Sequence, residues 1–375
     1  MSWNTKIPAR LIDFENKVHP SNNYCIGVKM ISSGGGCGTW LRIDENDNVV
    51  DVSDSYFINH PVYSNIKEVL FENSQVMIKI PKFYIKTDNW NRLWISDTKK
   101  DGFRVHPAFM KNDEEIDAFY VGKYQSHVYN DLCGSEPTVI PTVYTSYNDF
   151  KTYCTNRNVD GVSGYHMWNI YELSAITMLM LVEYLTTDVQ SYIWRGKVDA
   201  ELTGAGVGYT DDEIVSKAEY RGITGLWGNA WQFIDGVYSS PVKDTSNKEE
   251  SKLYIWDYNG NQEFMNTGVN IPTRKASESF TTGVNCGYYS SLETATGYNF
   301  NLSDVCIPNM STLVGRYTDG TFSDYTFGRT YDALMRVCCV GGSFDSGDMA
   351  GIFAYNFDVS TDESYYNVTT RLAKY

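Results

Sequence analysis

An α+β fold, dominated by strands and long loops, follows from three features of this 375-residue sequence. Short apolar runs of strand type alternate with Gly, Asn, Asp and Ser along most of its length. One segment, 170–184, carries sustained helical spacing. Beyond about residue 195 helical periodicity nearly vanishes, and the chain becomes rich in Gly, Asn, Ser and Tyr.

The first 75 residues predict a small β-rich segment. "YCIGVKMI", "TWLRID" and "NVVDVS" are separated by "SSGGGCG" and "DENDN", the spacing of hairpins. "SGGGCG" lacks the Lys-Ser/Thr of a phosphate loop. "DENDNVVDVSDS" has Val49 and Ser55 where a calcium loop needs Gly and Glu, so it reads as a turn. From 76 onward "VMIKIPKFYIK" and "DAFYVGKYQSHV" predict longer strands, and "NDFKTYCTNRN" (148–158) a helix. In "NIYELSAITMLMLVEYL" apolar residues recur every three or four positions from Ile170 to Tyr184, with Asn169 and Glu172 placed for a capping box. This helix is expected to pack against a sheet. Among the later loops, "PVKDTSNKEESK" (241–252) reads as a solvated one.

Composition narrows the functions. The 42% hydrophobic content supports a substantial core. A net charge of -15 without any Lys/Arg run argues against nucleic acid as a partner. "MSWNTKIPARLIDFENKV" has no apolar core of a secretory signal, and the longest apolar run, "SAITMLMLVEYL", is too short for a bilayer and contains Glu183. Neither secretion nor membrane insertion by the usual routes is expected. The eight cysteines contain no CxxC pair and read as reduced, buried small hydrophobes, as in a cytoplasm. Aromatics reach 15%, with 29 tyrosines, a content that suits β-rich folds and recognition surfaces alike.

Catalytic chemistry is not encoded in any familiar spacing. His19, His60, His106, His127 and His166 are isolated, no GxSxG occurs, and Asp211-Asp212-Glu213 reads as a helix start. No catalytic residue, metal or cofactor is expected.

Three stretches, in order, carry a resemblance: "GYHMWNIYELSAITMLMLVEYLTTDVQSYIWRG" (164–196), "YRGITGLWGNAWQFIDGV" (220–237) and the tail from Arg336 to Leu372. They resemble the C-type-lectin-like fold shared by formylglycine-generating enzymes and the variable proteins of diversity-generating retroelements, the phage tropism-determinant family. "GFRVHPAFMKNDEEIDAFYVGKY" resembles the first part of that domain. The resemblance covers about 76–375, and in the tail it rests on Arg336, Gly341, Gly342, Phe344, Gly347, Ala350, Gly351, Phe353, Asn356, Asn367, Arg371 and Leu372. Phe344 stands where the family usually has Trp, and Thr369 where it usually has Gly.

The resemblance implies a C-type-lectin-like domain at 76–375, preceded by an attachment and oligomerisation segment at 1–75. It implies a phage tail receptor-binding protein, homotrimeric, made in the host cytoplasm and carried on the virion. The partners would be a host surface receptor, protein or glycan, and tail proteins docked through the N-terminal segment. In the family, template AAC codons are rewritten at adenines, which gives NNC codons that never encode Lys, Glu, Gln, Met or Trp. Cys338, Cys339, Ser343, Asp345, Ser346, Asp348, Tyr355, Phe357, Asp358, Val359, Tyr365 and Tyr366 fit that set; Met349 and Glu363 do not. The implied ligand-binding residues are Cys338, Ser343, Asp345, Ser346, Asp348, Tyr355, Phe357, Asp358, Tyr365 and Tyr366, facing solvent as one patch within 336–372. Alternatively the tyrosines are half-buried strand residues. Two other activities attach to the same fold: an oxidase like the formylglycine-generating enzymes, which Cys338 and Cys339 are badly spaced to support, and a bacterial surface-displayed variable ligand binder.

Overall fold

The computed structural model describes residues 24–71, 74–88, 91–243, 249–295 and 301–375. The stretch read above for a leader, 1–18, lies outside them. The described chain is mixed α/β, mostly strands with a few helices, as an α+β class requires.

The long helix spans Ile170–Tyr184, and its N-terminus is closed by the expected capping box. Asn169 accepts from the backbone of Tyr171 and Glu172, while Glu172 accepts from the Asn169 N–H. Its surroundings differ from the expectation of a helix lying on a sheet. Every residue from Ile170 to Val182 is buried, so the helix is enclosed on all sides, the position that an apolar circumference demands. It contacts Cys25–Ser32 and Arg92–Ser96 from one sheet and Trp231–Lys243 from another. Its few buried polar groups are bonded: Thr177 Oγ1 donates to Leu173 O, and Ser174 Oγ lies 3.2 Å from His106 Nε2.

Three sheets of five or more strands hold most of the described strands. The first runs Thr39–Ile43, Cys25–Ser32, Arg92–Ser96, Tyr84–Asp88, Arg104–Val105. The second runs Tyr165–Met167, Leu372–Lys374, Ala118–Gly122, Gln75–Pro81, Lys67–Phe71. The third has nine strands, with Trp231–Lys243, Arg336–Gly341 and Gly351–Ser360 side by side at its centre.

The boundary expected after residue 75 does not divide the described chain. It falls inside the hairpin of Lys67–Phe71 with Gln75–Pro81, and Cys25–Ser32 pairs with Arg92–Ser96. Arg42 donates to the carbonyls of Val182 and Glu183, and Tyr63 Oη donates to Leu179 O, so this segment caps the last turn of the long helix. The physical reason is that hairpin signals are local, whereas these partners are distant in sequence. Within the segment the first expected hairpin forms between Cys25–Ser32 and Thr39–Ile43, its turn closed by the Gly38 N–H donating to Gly34 O, and the next turn is held by Asp44, which accepts from the Asn46 and Asn48 N–H groups. Val49 makes only an isolated bridge to Ile43.

Two more elements refine the sequence reading. The helix expected at 148–158 spans Tyr147–Thr155, and Asp212 caps a short helix at Glu213–Ser216. The stretch 241–252 ends one long strand and begins another: Trp231–Lys243 pairs with Glu249–Trp256, and 244–248 lies outside the described residues. No helix among the described residues is long and apolar enough to cross a membrane.

Candidate functional site

The tail builds a stiff frame from its small and aromatic residues. Arg336–Gly341 pairs with Trp231–Lys243 on one side and Gly351–Ser360 on the other. Gly342 has φ +81, and a Cβ there would come within 2.5 Å of the Ala350 Cβ. A Cβ at Gly351 would overlap the buried carboxylate of Asp324, which accepts from the Phe353 N–H at 2.7 Å. Burial holds that carboxyl well above the usual carboxylate range. Phe344 and Phe353 are buried, Asn229 O accepts from Phe344 N, and Asn356 Oδ1 accepts from Asp358 N.

Arg371 locks this frame to the scaffold stretch 220–237. Its guanidinium is fully buried and meets five neutral acceptors: Gln232 Oε1 at 2.9 Å, Gly122 O at 2.8 Å, Lys123 O at 2.9 Å, Thr224 O at 2.8 Å and Gly225 O at 2.9 Å. All five N–H donors are thereby used. Trp227, Trp231 and Phe233 are core residues, as a scaffold role requires. Gly236 sits at the bulge of Trp231–Lys243 rather than in a tight turn.

The expected ligand-binding residues separate into three groups. Cys338, Ser343, Ser346, Tyr355 and Phe357 are buried, which corrects the expectation that they face solvent. Gly351–Ser360 is an interior strand covered on both faces, so alternation along it does not bring every second side chain to water. Tyr355 and Phe357 share one face, their rings stacked at 6.4 Å, and belong to the main core. Asp358 is half-buried and structurally engaged, accepting from the Thr330 N–H and pairing with Arg274 at 3.2 Å. Tyr365 is also half-buried, its phenol pushed up to about 12 by burial.

Asp345, Asp348 and Tyr366 are exposed. Tyr366 Oη donates to Asp345 Oδ2 at 2.9 Å, and Ser343 Oγ supports the same carboxylate from below at 2.6 Å. The Tyr366 ring lies edge-on to buried Phe344. Asp348 pairs with Arg195 at 2.6 Å, and Gln190 Nε2 donates to Gly347 O and Ala350 O. The turn 343–349 is thus held by buried groups and carries its carboxylates outward.

Two neighbouring loops extend this surface with residues the sequence did not single out. Tyr144 is 70% exposed, and its N–H donates to Tyr365 O. Its φ of 56 places a bulky side chain in the left-handed region, a strained conformation that costs about 1 kcal/mol or more. Tyr209 is also exposed, on a loop tied to the tail through Asn229: Gly208 N donates to Asn229 Oδ1, and Phe344 N to Asn229 O. Thr210 N donates to Val139 O, joining the two loops. The available sequence signal was Tyr within Pro/Thr- and Gly-rich loops, a composition typical of adaptable binding surfaces.

Cys338, Cys339, His60 and His106 are sequestered. Burial pushes the Cys338 and Cys339 thiols up, and all eight cysteines are free. His60 and His106 are buried and cap helices, their Nδ1 atoms accepting from Val62 N and Ala108 N. Among the described residues no group of three or more metal-ligating side chains occurs.

No protein-family profile and no curated protein matches the chain. Among solved structures it is similar to the Major Tropism Determinant U1 Variant, at 7% identity and a TM-score of 0.28, over 90% of this chain and 92% of that one.

Proposed function

We propose that this chain is a receptor-binding protein of a phage tail, non-enzymatic and cofactor-free, with a C-type-lectin-like domain. It attaches the virion to a host surface ligand through the exposed part of its tail and the loops beside it. The carrying observation is the juxtaposition of Tyr366, Asp345 and Tyr144 on a buried frame, Tyr144 being held in a strained backbone conformation with its ring in solvent. Rigid exposed aromatics with polar neighbours supply large contact area at small entropic cost. The burial of Cys338 and Cys339 supports a non-enzymatic role over the oxidase reading. A homotrimer, docked through the N-terminal segment, would multiply a weak single-site affinity by about 10²–10⁴.

The test is adsorption of particles carrying Tyr144→Ala, Tyr209→Ala and Tyr366→Ala together. Loss of adsorption with an unchanged melting temperature supports the reading. Normal adsorption by the folded triple variant refutes it.

A further inference from the structure

A cleft adjoins the turn 343–349 at Asp348. It encloses about 390 Å³ where Gly35, the stretch Asp188–Arg195, Tyr317, Ser323 and Asp348 meet. Its volume falls within the ~300–1,000 Å³ range of ligand clefts. We infer that this cleft receives a basic side chain, lysine or arginine, of a protein receptor. The inference rests on the proposed adhesin role for its partner, and on the cleft's own chemistry for the ligand class.

Arg195 is the cation of the cleft, and it is already shared between Asp348 and Asp199. Asp188 forms no ion pair among the described residues; Ser191 N donates to its Oδ1, and no neighbour is bonded to Oδ2. The cleft thus carries one cation that is already paired and a half-buried carboxylate, Asp188, that is not. The field of Asp188 also acts inward: it is among the causes, after burial, that raise the carboxyl of Asp324, to which the lining Ser323 Oγ donates. A concave wall of low dielectric concentrates such a potential.

The ring of Tyr317 supplies the second element. It is 52% exposed, seated against Gly36 and edge-on to Tyr288, and it offers a π face to a cation at the cleft mouth. An unpaired carboxylate beside an exposed aromatic face suits an ammonium or guanidinium better than an anion or an apolar group. Asp348, one wall of the cleft, belongs to the residues that the family pattern leaves free. Changes at that position would therefore retune this cleft.

The test uses the whole chain and titrates it with Nα-acetyl-arginine amide and Nα-acetyl-lysine amide, with Nα-acetyl-norleucine amide and methyl glycosides as controls. Binding of the cationic probes alone, weakened by salt, is the expected result. Asp188→Asn keeps the acceptor for Ser191 N and should weaken binding about tenfold. Tyr317→Ala, which removes the half-exposed ring, should weaken it about fivefold. Absence of cation binding to the folded wild type, equal binding by both variants, or binding of a glycoside instead would each overturn the assignment. Particles carrying Asp188→Asn are assayed for adsorption in parallel. Loss of probe binding with normal adsorption would overturn the receptor contact at this cleft while leaving the Tyr144–Tyr366 surface standing.

Discussion

Replacing Phe357 or Tyr366 by alanine distinguishes the frame of the tail from its exposed surface. Both positions were expected, from the resemblance, to face solvent, yet Phe357 is fully buried and Tyr366 is 47% exposed. Phe357→Ala removes a ring stacked on Tyr355 within the main core, a change that costs about 3–5 kcal/mol. An unfolding entropy of about 2.1 cal/mol/K per residue scales to about 0.8 kcal/mol/K for 375 residues, so the melting temperature should fall by about 4–6 °C. Tyr366→Ala loses one exposed hydrogen bond to Asp345 and an edge contact with Phe344, about 1 kcal/mol or less and about 1 °C. Calorimetry of the two proteins, together with adsorption of particles carrying each, separates the roles. Tyr366→Ala should weaken adsorption at nearly native stability, and Phe357→Ala should lose it only in proportion to unfolding. An unchanged melting temperature for Phe357→Ala would refute the burial argument. A large drop for Tyr366→Ala would refute the assignment of its ring to the surface.

The remaining predictions concern buried polar groups. Tyr355 Oη is buried without a hydrogen-bond partner among the described residues, so Tyr355→Phe should leave stability unchanged or raise it by about 1 kcal/mol; a loss of that size in urea melts would contradict this. His60 is held neutral by burial, its pKa down to about 4, while the unfolded chain binds the proton near 6.5. The depressed value means stability falls as pH drops from about 6.5 towards 4, by about 1.4 kcal/mol per pH unit. His60→Asn, which keeps an acceptor for Val62 N, should flatten that slope, and an equal slope in both proteins would disprove the assignment. Arg371→Ala strands four backbone carbonyls and the Gln232 amide oxygen and should cost about 3–5 kcal/mol; denaturant melts within 1 kcal/mol of wild type would show that the clamp is dispensable.

Local signals were legible in the sequence, and distant ones were not. Asn169 and Glu172 announced the long helix because a capping box is written within four residues. Its burial on every side was not legible, because the strands around it come from Cys25–Ser32, Arg92–Ser96 and Trp231–Lys243. The frame of the tail was readable from Gly342, Gly351 and Phe353, whose roles depend on size and backbone freedom. The placement of Tyr355 and Phe357 depends on whether both faces of Gly351–Ser360 are covered, which is a property of the assembled sheet. Tyr144 escaped for another reason: a left-handed backbone at a tyrosine has no compositional mark.

The stretch 368–374 has a consequence for how this protein is made. Val368–Thr369 pairs with Trp231 and Gln232, and Leu372–Lys374 fills the gap between Ala118–Gly122 and Tyr165–Met167. Arg371, between them, closes on Gly122 O across 249 residues. Two sheets therefore wait for a piece that the ribosome delivers after every other strand they contain. Loop closure over such distances is slow, and until it happens the edges of 118–122 and 165–167 stay open to wrong partners. A nascent chain released before residue 368 would lack the keystone and be left to proteases. Polypeptides that lack Arg371 and the strands on either side of it cannot close these two sheets, so completion of the fold waits on this stretch.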